Sequence, residues 1–127
     1  MFGIVLTKKR QKLLSEYWPG PVSIILSCGT SVPEYLHRGT HTLAFRVPDD
    51  PQLKNLLKES GPLIAPSANP EGLPPATNIE EAQKYFGDTV DFYINDGERA
   101  GSPSTVISLG EDGSVVTVRE GRQSIQL

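Results

Sequence analysis

Thr42-Leu43-Ala44-Phe45-Arg46-Val47-Pro48-Asp49-Asp50-Pro51 is the stretch on which the fold turns, because a strand gives way there directly to the start of a helix. Leu43, Phe45 and Val47 fall on one face of a strand from Thr42 to Val47, and Thr42, Ala44 and Arg46 on the other. Asp50 followed by Pro51 matches an N-cap and first helical residue. Leu53, Leu56 and Leu57 make the apolar stripe of that helix, and Gly61 stands where it stops.

Working outward from this strand and helix, the upstream chain reads as a helix from Thr7 to Tyr17, with Thr7 as N-cap and Leu13, Leu14 and Tyr17 on one face. Pro19-Gly20-Pro21 ends it. Val22 to Leu26 follows as a buried strand, and Pro33 to Leu36 as one helical turn. Downstream, Pro62 to Ala65 reads as a brief strand and Pro66 to Ala76 as a proline- and glycine-rich loop. Thr77 with Glu80 reads as a capping box opening a helix to about Phe86. Three strands complete the chain: Val90 to Ile94, Ser104 to Leu109 and Ser114 to Arg119, the last two joined by a turn at Gly110-Glu111-Asp112-Gly113. Strands alternating with helices and then strands alone predict an α/β layer on a mixed sheet. No internal repeat or linker breaks it, so residues 1–127 are expected to form one domain.

Composition narrows the function classes. The chain has 127 residues, 37% of them hydrophobic and 21% charged, with a net charge of −3, which argues against a protein held to duplex nucleic acid mainly by phosphate contacts. Its single cysteine, Cys28, excludes an internal disulfide and a multi-cysteine zinc site and suits a reducing compartment, so a cytoplasmic location is expected. The basic residues Lys8, Lys9 and Arg10 follow the short apolar opening run instead of preceding it, so neither a signal peptide nor a membrane span is expected. Lys8, Lys9, Arg10 and Lys12 read as a solvated helix face. His37 and His41 straddle Gly39, no metalloprotease pattern accompanies them, and no metal site is expected. No GxGxxG, Walker A or GxSxG motif is present.

The candidate chemistry lies in four places. Pro62-Leu63-Ile64-Ala65-Pro66-Ser67-Ala68-Asn69-Pro70-Glu71-Gly72 sets Ser67 and Asn69 two apart at the carboxyl end of the expected strand, where ligands of open α/β sheets bind. Both can give and accept hydrogen bonds, as phosphate oxygens or a ribose require, and both also suit a simple capping turn. Arg46, on a strand expected to be largely buried and on the same face as Thr42, is open between an anion-binding fork and an ion pair with Asp49 or Asp50. Ser104 and Thr105 open a strand after the flexible-looking Gly97-Glu98-Arg99-Ala100-Gly101. Arg119, followed by Gly121, suits either a phosphate clamp or a solvated strand end.

Tyr17-Trp18-Pro19-Gly20-Pro21-Val22, Arg38-Gly39-Thr40-His41-Thr42-Leu43-Ala44-Phe45-Arg46-Val47-Pro48-Asp49, Ala65-Pro66-Ser67-Ala68-Asn69-Pro70-Glu71-Gly72 and Ser104-Thr105-Val106 stand in the order and spacing of the YrdC-like family, which the chain resembles from about Leu13 onward. The resemblance implies a twisted α/β sheet with flanking helices around a concave, positively lined cavity. It also implies a threonylcarbamoyl-AMP synthase, a nucleotidyltransferase-type enzyme of tRNA modification that condenses L-threonine, bicarbonate and ATP with release of pyrophosphate.

By the same resemblance, Thr42, Ser67, Asn69 and Arg119 face ATP, and Arg46 and Ser104 face threonine. The implied reaction needs cations and positioning but no covalent nucleophile, so no catalytic residue is assigned. No tightly bound cofactor is expected beyond the Mg²⁺ that accompanies ATP. The family's upstream Thr-containing strand-loop and Lys-x-Arg motif have no counterpart here, Pro75 stands where many relatives have serine, and Glu120 where proline is common. The domain is therefore expected to be N-terminally truncated relative to the family and incomplete, with a partner chain as one source of the absent strands. A noncatalytic module for nucleotide, tRNA or double-stranded RNA is the alternative. The carbamoyl-transfer domain of hydrogenase maturation proteins ranks behind both, since its accessory regions are absent.

Overall fold

The computed structural model describes residues 2–125 and falls into two compact units. The first runs to Gly61 and resumes at Ser102, and the second is Pro62–Gly101.

The first unit is built on a four-stranded sheet. Its elements in chain order are α1 (Lys8–Tyr17), β1 (Val22–Ser27), α2 (Glu34–His37), β2 (Thr42–Phe45), α3 (Pro51–Ser60), β3 (Thr105–Leu109) and β4 (Val115–Arg119). The strand order is β2-β1-β3-β4, with β1 antiparallel to β2 and parallel to β3, and β3 antiparallel to β4. The sheet is mixed, as the alternation predicts. β1 pairs with strands on both sides and has no proline, whereas β2 and β4 form the edges.

One face of this sheet carries the core. Val22 and Ile24 of β1 align with Thr105 and Ile107 of β3, and these residues, with Leu26 and Leu109, are buried. Leu13, Leu14, Tyr17 and Trp18 pack over them from α1 and its C-terminus. Removing each such apolar side chain from water supplies about 1.5–3 kcal/mol toward ordering the sheet.

Arg10 changes the reading of α1. It is wholly buried, and its guanidinium donates to the carbonyls of Val5 (2.8 Å), Gly110 (3.0 Å) and Leu109 (3.1 Å). The basic run is therefore not a uniformly solvated face. A charge can be buried there because carbonyl oxygens at the end of β3 satisfy its donors. Arg10 sits three, four and seven residues before Leu13, Leu14 and Tyr17, so the helical period places it on the apolar face. That spacing is the signal in the sequence.

The local caps follow elementary chemistry. Thr7 accepts from the N–H of Arg10, and Asp50 accepts from the N–H groups of Gln52 and Leu53 ahead of α3. Gly61 ends α3 at φ 76°, a conformation that costs glycine little. Leu53 and Leu56 of the α3 stripe are both 44% exposed, so this apolar face is not covered within the described residues.

The second unit holds one α-helix, α4 (Ile79–Phe86), followed by a 3₁₀ turn (Gly87–Thr89). Its cap lies one residue beyond the predicted box. Asn78 accepts from the N–H of Glu81, and the Glu81 carboxylate accepts from the N–H and hydroxyl of Thr77. Both Thr77-x-x-Glu80 and Asn78-x-x-Glu81 fit the pattern, and the second wins because it lets one carboxylate take two donors. Residues 62–65 and 90–94, where the sequence predicts strands, form no ladder. A strand needs a neighbour, and neither segment has one among the described residues.

Candidate functional site

Two strand ends of the first unit meet at Ser104. Arg46, one residue past β2, donates through Nη1 to the Ser104 hydroxyl at 2.7 Å, and Arg119, the last residue of β4, donates through Nη2 to the Ser104 carbonyl at 2.8 Å. Three residues widely separated in the chain thus form one hydrogen-bonded unit. Each guanidinium uses one nitrogen in these bonds, so most of its N–H donors remain for an anion.

The alternative ion pair for Arg46 is not formed. Asp49 is paired with Lys54 at 3.0 Å, and Asp50 is spent on the α3 cap. Arg46 is also exposed instead of lying in a buried strand, because β2 is a sheet edge. Among the described residues neither Arg46 nor Arg119 is paired with a carboxylate, so two guanidinium charges meet at one serine.

Several backbone features hold the cluster. Gly20 donates its N–H to the carbonyl of Val47 at 2.9 Å, and the Trp18 indole donates to the carbonyl of Val22 at 2.8 Å, which ties the Pro19-Gly20-Pro21 turn to the chain just beyond Arg46. At the other side, Arg122 donates its N–H to the Pro103 carbonyl at 2.8 Å. The buried Thr105 hydroxyl donates to the Gln123 carbonyl at 2.5 Å and accepts from the Gln123 N–H at 3.2 Å. Gly121 is essential to this approach: a Cβ there would lie 2.4 Å from the Pro103 oxygen and 2.5 Å from the Thr105 nitrogen. Thr105, which the sequence offers as a strand-opening hydroxyl, and Gly121, which it places after Arg119, are thus positioning residues of this cluster.

Thr42 lies on the same side of β2 as Arg46 by the pleat and is half-buried. Its hydroxyl donates to Thr40 at 3.2 Å, and Thr40 in turn donates to the carbonyl of His37 at 2.5 Å. The buried His37 accepts at Nδ1 from the N–H groups of Gly39 (3.1 Å) and His41 (3.4 Å), fixing a loop in which Arg38 and His41 have φ of 49° and 54°. His37 is thereby a loop-holding residue, its ring 4.7 Å from that of His41. A cleft of about 370 Å³ lined by Thr30, Val32, Glu34, His37, Gly39 and His41 contains none of the candidate residues. The arginines hydrogen-bonded to Ser104 lie outside this cleft.

Ser67 and Asn69 belong to the second unit. The Asn69 N–H donates to the Ser67 carbonyl at 2.9 Å, Nδ2 donates to the Pro70 carbonyl at 3.0 Å, and the N–H of Ala76 closes the loop on the Ala68 carbonyl at 2.9 Å. This is the turn that the residue types allow. It leaves the Asn69 Oδ1 buried with no donor among the described residues, and a buried acceptor without a partner costs about 1–3 kcal/mol until something donates to it. Ser67 is exposed.

The Sua5/YciO/YrdC family model, described as telomere recombination, matches residues 3–121. The chain belongs to the Sua5/YciO/YrdC family. Among its relatives, the threonylcarbamoyl-AMP synthase of Photorhabdus laumondii is 36% identical over 103 residues, covering 80% of this chain and 54% of that protein. That of Marinobacter nauticus is 39% identical over 98 residues, covering 73% of this chain and 50% of that one. Pyrococcus abyssi Sua5 in complex with L-threonine superposes with a TM-score of 0.82 at 32% identity over 94% of this chain and 36% of its own. Escherichia coli YciO superposes with a TM-score of 0.78 at 29% identity, over 93% of this chain and 58% of that one. This family member thus has the expected mixed α/β fold and spans about half the length of the curated relatives it matches. No helix among its described residues is long and apolar enough to cross a membrane, and these residues hold no group of three or more His, Cys, Asp or Glu able to bind a metal.

Proposed function

We propose that the chain carries a ligand-binding portion of a cytoplasmic threonylcarbamoyl-AMP synthase-type domain acting toward threonylcarbamoyladenosine in tRNA. Arg46 and Ser104 hold L-threonine, and Thr42, Ser67, Asn69 and Arg119 face ATP. The observation that carries the reading is the convergence of Arg46 and Arg119 on Ser104, two cations beside a hydroxyl with no carboxylate paired to either among the described residues. The unpartnered Asn69 Oδ1, which needs a donor such as a ribose hydroxyl or an exocyclic amine, supports it.

In the proposed reaction the threonine nitrogen bonds to the carbon of bicarbonate with loss of water. A carbamate oxygen then bonds to the α-phosphorus as the bond to pyrophosphate breaks. Arg46 offers a fork for the threonine carboxylate while Ser104 orients it, and Arg119, anchored to the same serine, faces charge developing on phosphate. Because both arginines bond Ser104, occupancy on the nucleotide side adjusts the threonine side, and Arg119 is a positioning residue for Ser104 as well as a ligand-facing one. Mg²⁺ enters with the phosphates of ATP.

Calorimetric titration of Mg²⁺-ATP and of threonine into the chain tests this. Arg46→Ala should weaken threonine binding about ten- to a hundredfold, the loss of one charge-assisted contact, with ATP affinity little changed. Asn69→Ala should do the reverse. Unaltered threonine affinity in a folded Arg46→Ala sample would exclude the assignment. The chain by itself is expected to release little pyrophosphate, since it spans about half of its relatives.

A further inference from the structure

Among the buried polar side chains described, Arg10, His37 and Thr105, only His37 is of a type that ordinarily changes charge between about pH 5 and 8. It is 6% exposed and ends α2. Its Nδ1 accepts from the N–H groups of both Gly39 and His41, so that nitrogen carries the lone pair and the ring proton sits on Nε2. The carbonyl of the same residue accepts from the N–H of Thr40 at 2.9 Å and from the Thr40 hydroxyl. Gly39, Thr40 and His41 thus all donate to one residue.

The loop depends on that grip. Arg38 and His41 both lie in the left-handed region, which residues with side chains keep only where their surroundings hold them. The Thr40 hydroxyl, its proton spent on the His37 carbonyl, accepts from the Thr42 hydroxyl at 3.2 Å and from the Thr42 N–H at 3.4 Å. Order set by His37 is thereby passed to the first residue of β2.

We propose that His37 is a positioning residue for Thr42 that works only as the neutral imidazole, so that acid loosens the 38–42 loop and with it the nucleotide side of the site. The proton and two backbone N–H groups compete for one lone pair. A proton bonded to Nδ1 breaks both bonds to the loop and leaves their N–H groups facing a cation. The charged and titratable groups around the ring are Glu34 of α2, on the wall of the same cleft, and Arg38 and His41 of the loop, the His41 ring lying 4.7 Å away. β2 has no titratable side chain, and the 28–32 segment has Cys28 but no charge. The effect on the loop stands by itself, whereas the effect on ATP rests on the reading that Thr42 faces the nucleotide.

NMR of the whole chain between about pH 8 and about pH 5.5 tests the proposal. At the upper limit His37 should be the Nε2–H tautomer. As pH falls, the protection factors of the Gly39 and His41 amides, taken against intrinsic rates at each pH, should drop about tenfold, with those of Ile24 and Ile107 unchanged. His37→Asn decides the cause: its Oδ1 stands where Nδ1 does and accepts the same N–H groups but takes no proton, so protection should persist and lose its pH dependence. His41→Asn, which tolerates positive φ, should keep the response of the unaltered chain. An Nδ1–H tautomer, flat protection in the unaltered chain, a response that survives in His37→Asn, or one that vanishes in His41→Asn would each overturn the proposal. Mg²⁺-ATP titrated into the same samples should lose about three- to tenfold more affinity in the unaltered chain than in His37→Asn, a comparison that cancels the titration of the phosphates themselves. Equal losses beside a responding loop would overturn the coupling to Thr42. Absence of ATP binding at every pH would overturn the synthase reading and that coupling with it, while the amides would still decide whether His37 is the switch of the loop.

Discussion

The two units of the chain solve the same problem with unequal means. The sheet unit buries Val22, Ile24, Leu26, Ile107 and Leu109 in a continuous core, and every one of its strands has a partner. Between Pro62 and Gly101 no residue is buried and no strand is paired, although Leu63, Ile64, Phe92 and Ile94 are as apolar as anything in the core. Apolar residues organise structure only when a second surface is present to cover them. The sheet unit supplies that surface from within itself, with α1 over one face, and the other unit does not.

The largest effect is expected at Arg10. Arg10→Met removes the guanidinium that donates to the part-buried carbonyls of Val5 and Gly110 and the buried carbonyl of Leu109, which should cost about 3 kcal/mol or more in urea unfolding. Arg10→Lys should recover part of this, since one ammonium reaches fewer of the carbonyls. A loss under about 1 kcal/mol for Arg10→Met would mean that the sheet unit is held by its apolar core alone.

A matched pair probes the contrast directly. Ile24→Ala should cost about 2–5 kcal/mol, whereas Phe92→Ala, a larger deletion, should stay within about 0.5 kcal/mol because its ring is already in water. Equal losses would show that the second unit buries Phe92 in solution and would erase the distinction.

Gly121→Ala asks whether the site depends on the sheet unit's backbone. Its Cβ would meet the Pro103 oxygen and the Ser104 and Thr105 backbone within 2.4 to 2.6 Å, so the chain after β4 must move. A cost of about 1–3 kcal/mol is expected in thermal unfolding, together with weaker threonine binding as Arg119 and Ser104 separate. Normal binding in a destabilised variant would show that the Arg119 contact is dispensable for placing Ser104.

What was legible in the sequence was local. The caps at Thr7 and Asp50, the stop at Gly61 and the strands near Val22, Thr42, Ser104 and Val115 follow from side-chain chemistry within a few residues. The convergence on Ser104 was half legible: Arg46, Ser104 and Arg119 stood out as residue types, but their meeting depends on the order β2-β1-β3-β4, which no local pattern reveals. Arg10 does not read as buried because two of its three partners lie about a hundred positions away, although its spacing from Leu13 and Leu14 places it on the apolar face. Segments 62–65 and 90–94 have strand composition, and composition is a statement about what a segment can do when a neighbour is present.

Acid should separate the units by the smallest but most selective effect. Glu81 is held below its ordinary value of 4.5, first by the N–H of Thr77, then by the Thr77 hydroxyl, with Lys84 and Asn78 adding to the shift against the cost of burial. In the sheet unit Asp112 is likewise held below its ordinary 3.8 by the hydroxyl and then the N–H of Ser114. Both carboxylates have folded values beneath their unfolded ones, so each stabilises its surroundings fully above the unfolded value and loses that contribution as pH falls through the folded one. The consequence differs with context. Asp112 orders a turn whose flanking strands stay paired when it is protonated, whereas Glu81 caps a helix with no buried residue behind it. Lowering the pH from about 6 to below 4.5 should therefore reduce the protection factors of the α4 amides, measured against their intrinsic exchange rates at each pH, before those of Ile24 and Ile107, and Glu81→Gln should flatten the response of α4 alone. If exchange in α4 and in the sheet rose together at one pH, the two units would be a single cooperative structure, and the absence of a core between Pro62 and Gly101 would have no energetic meaning.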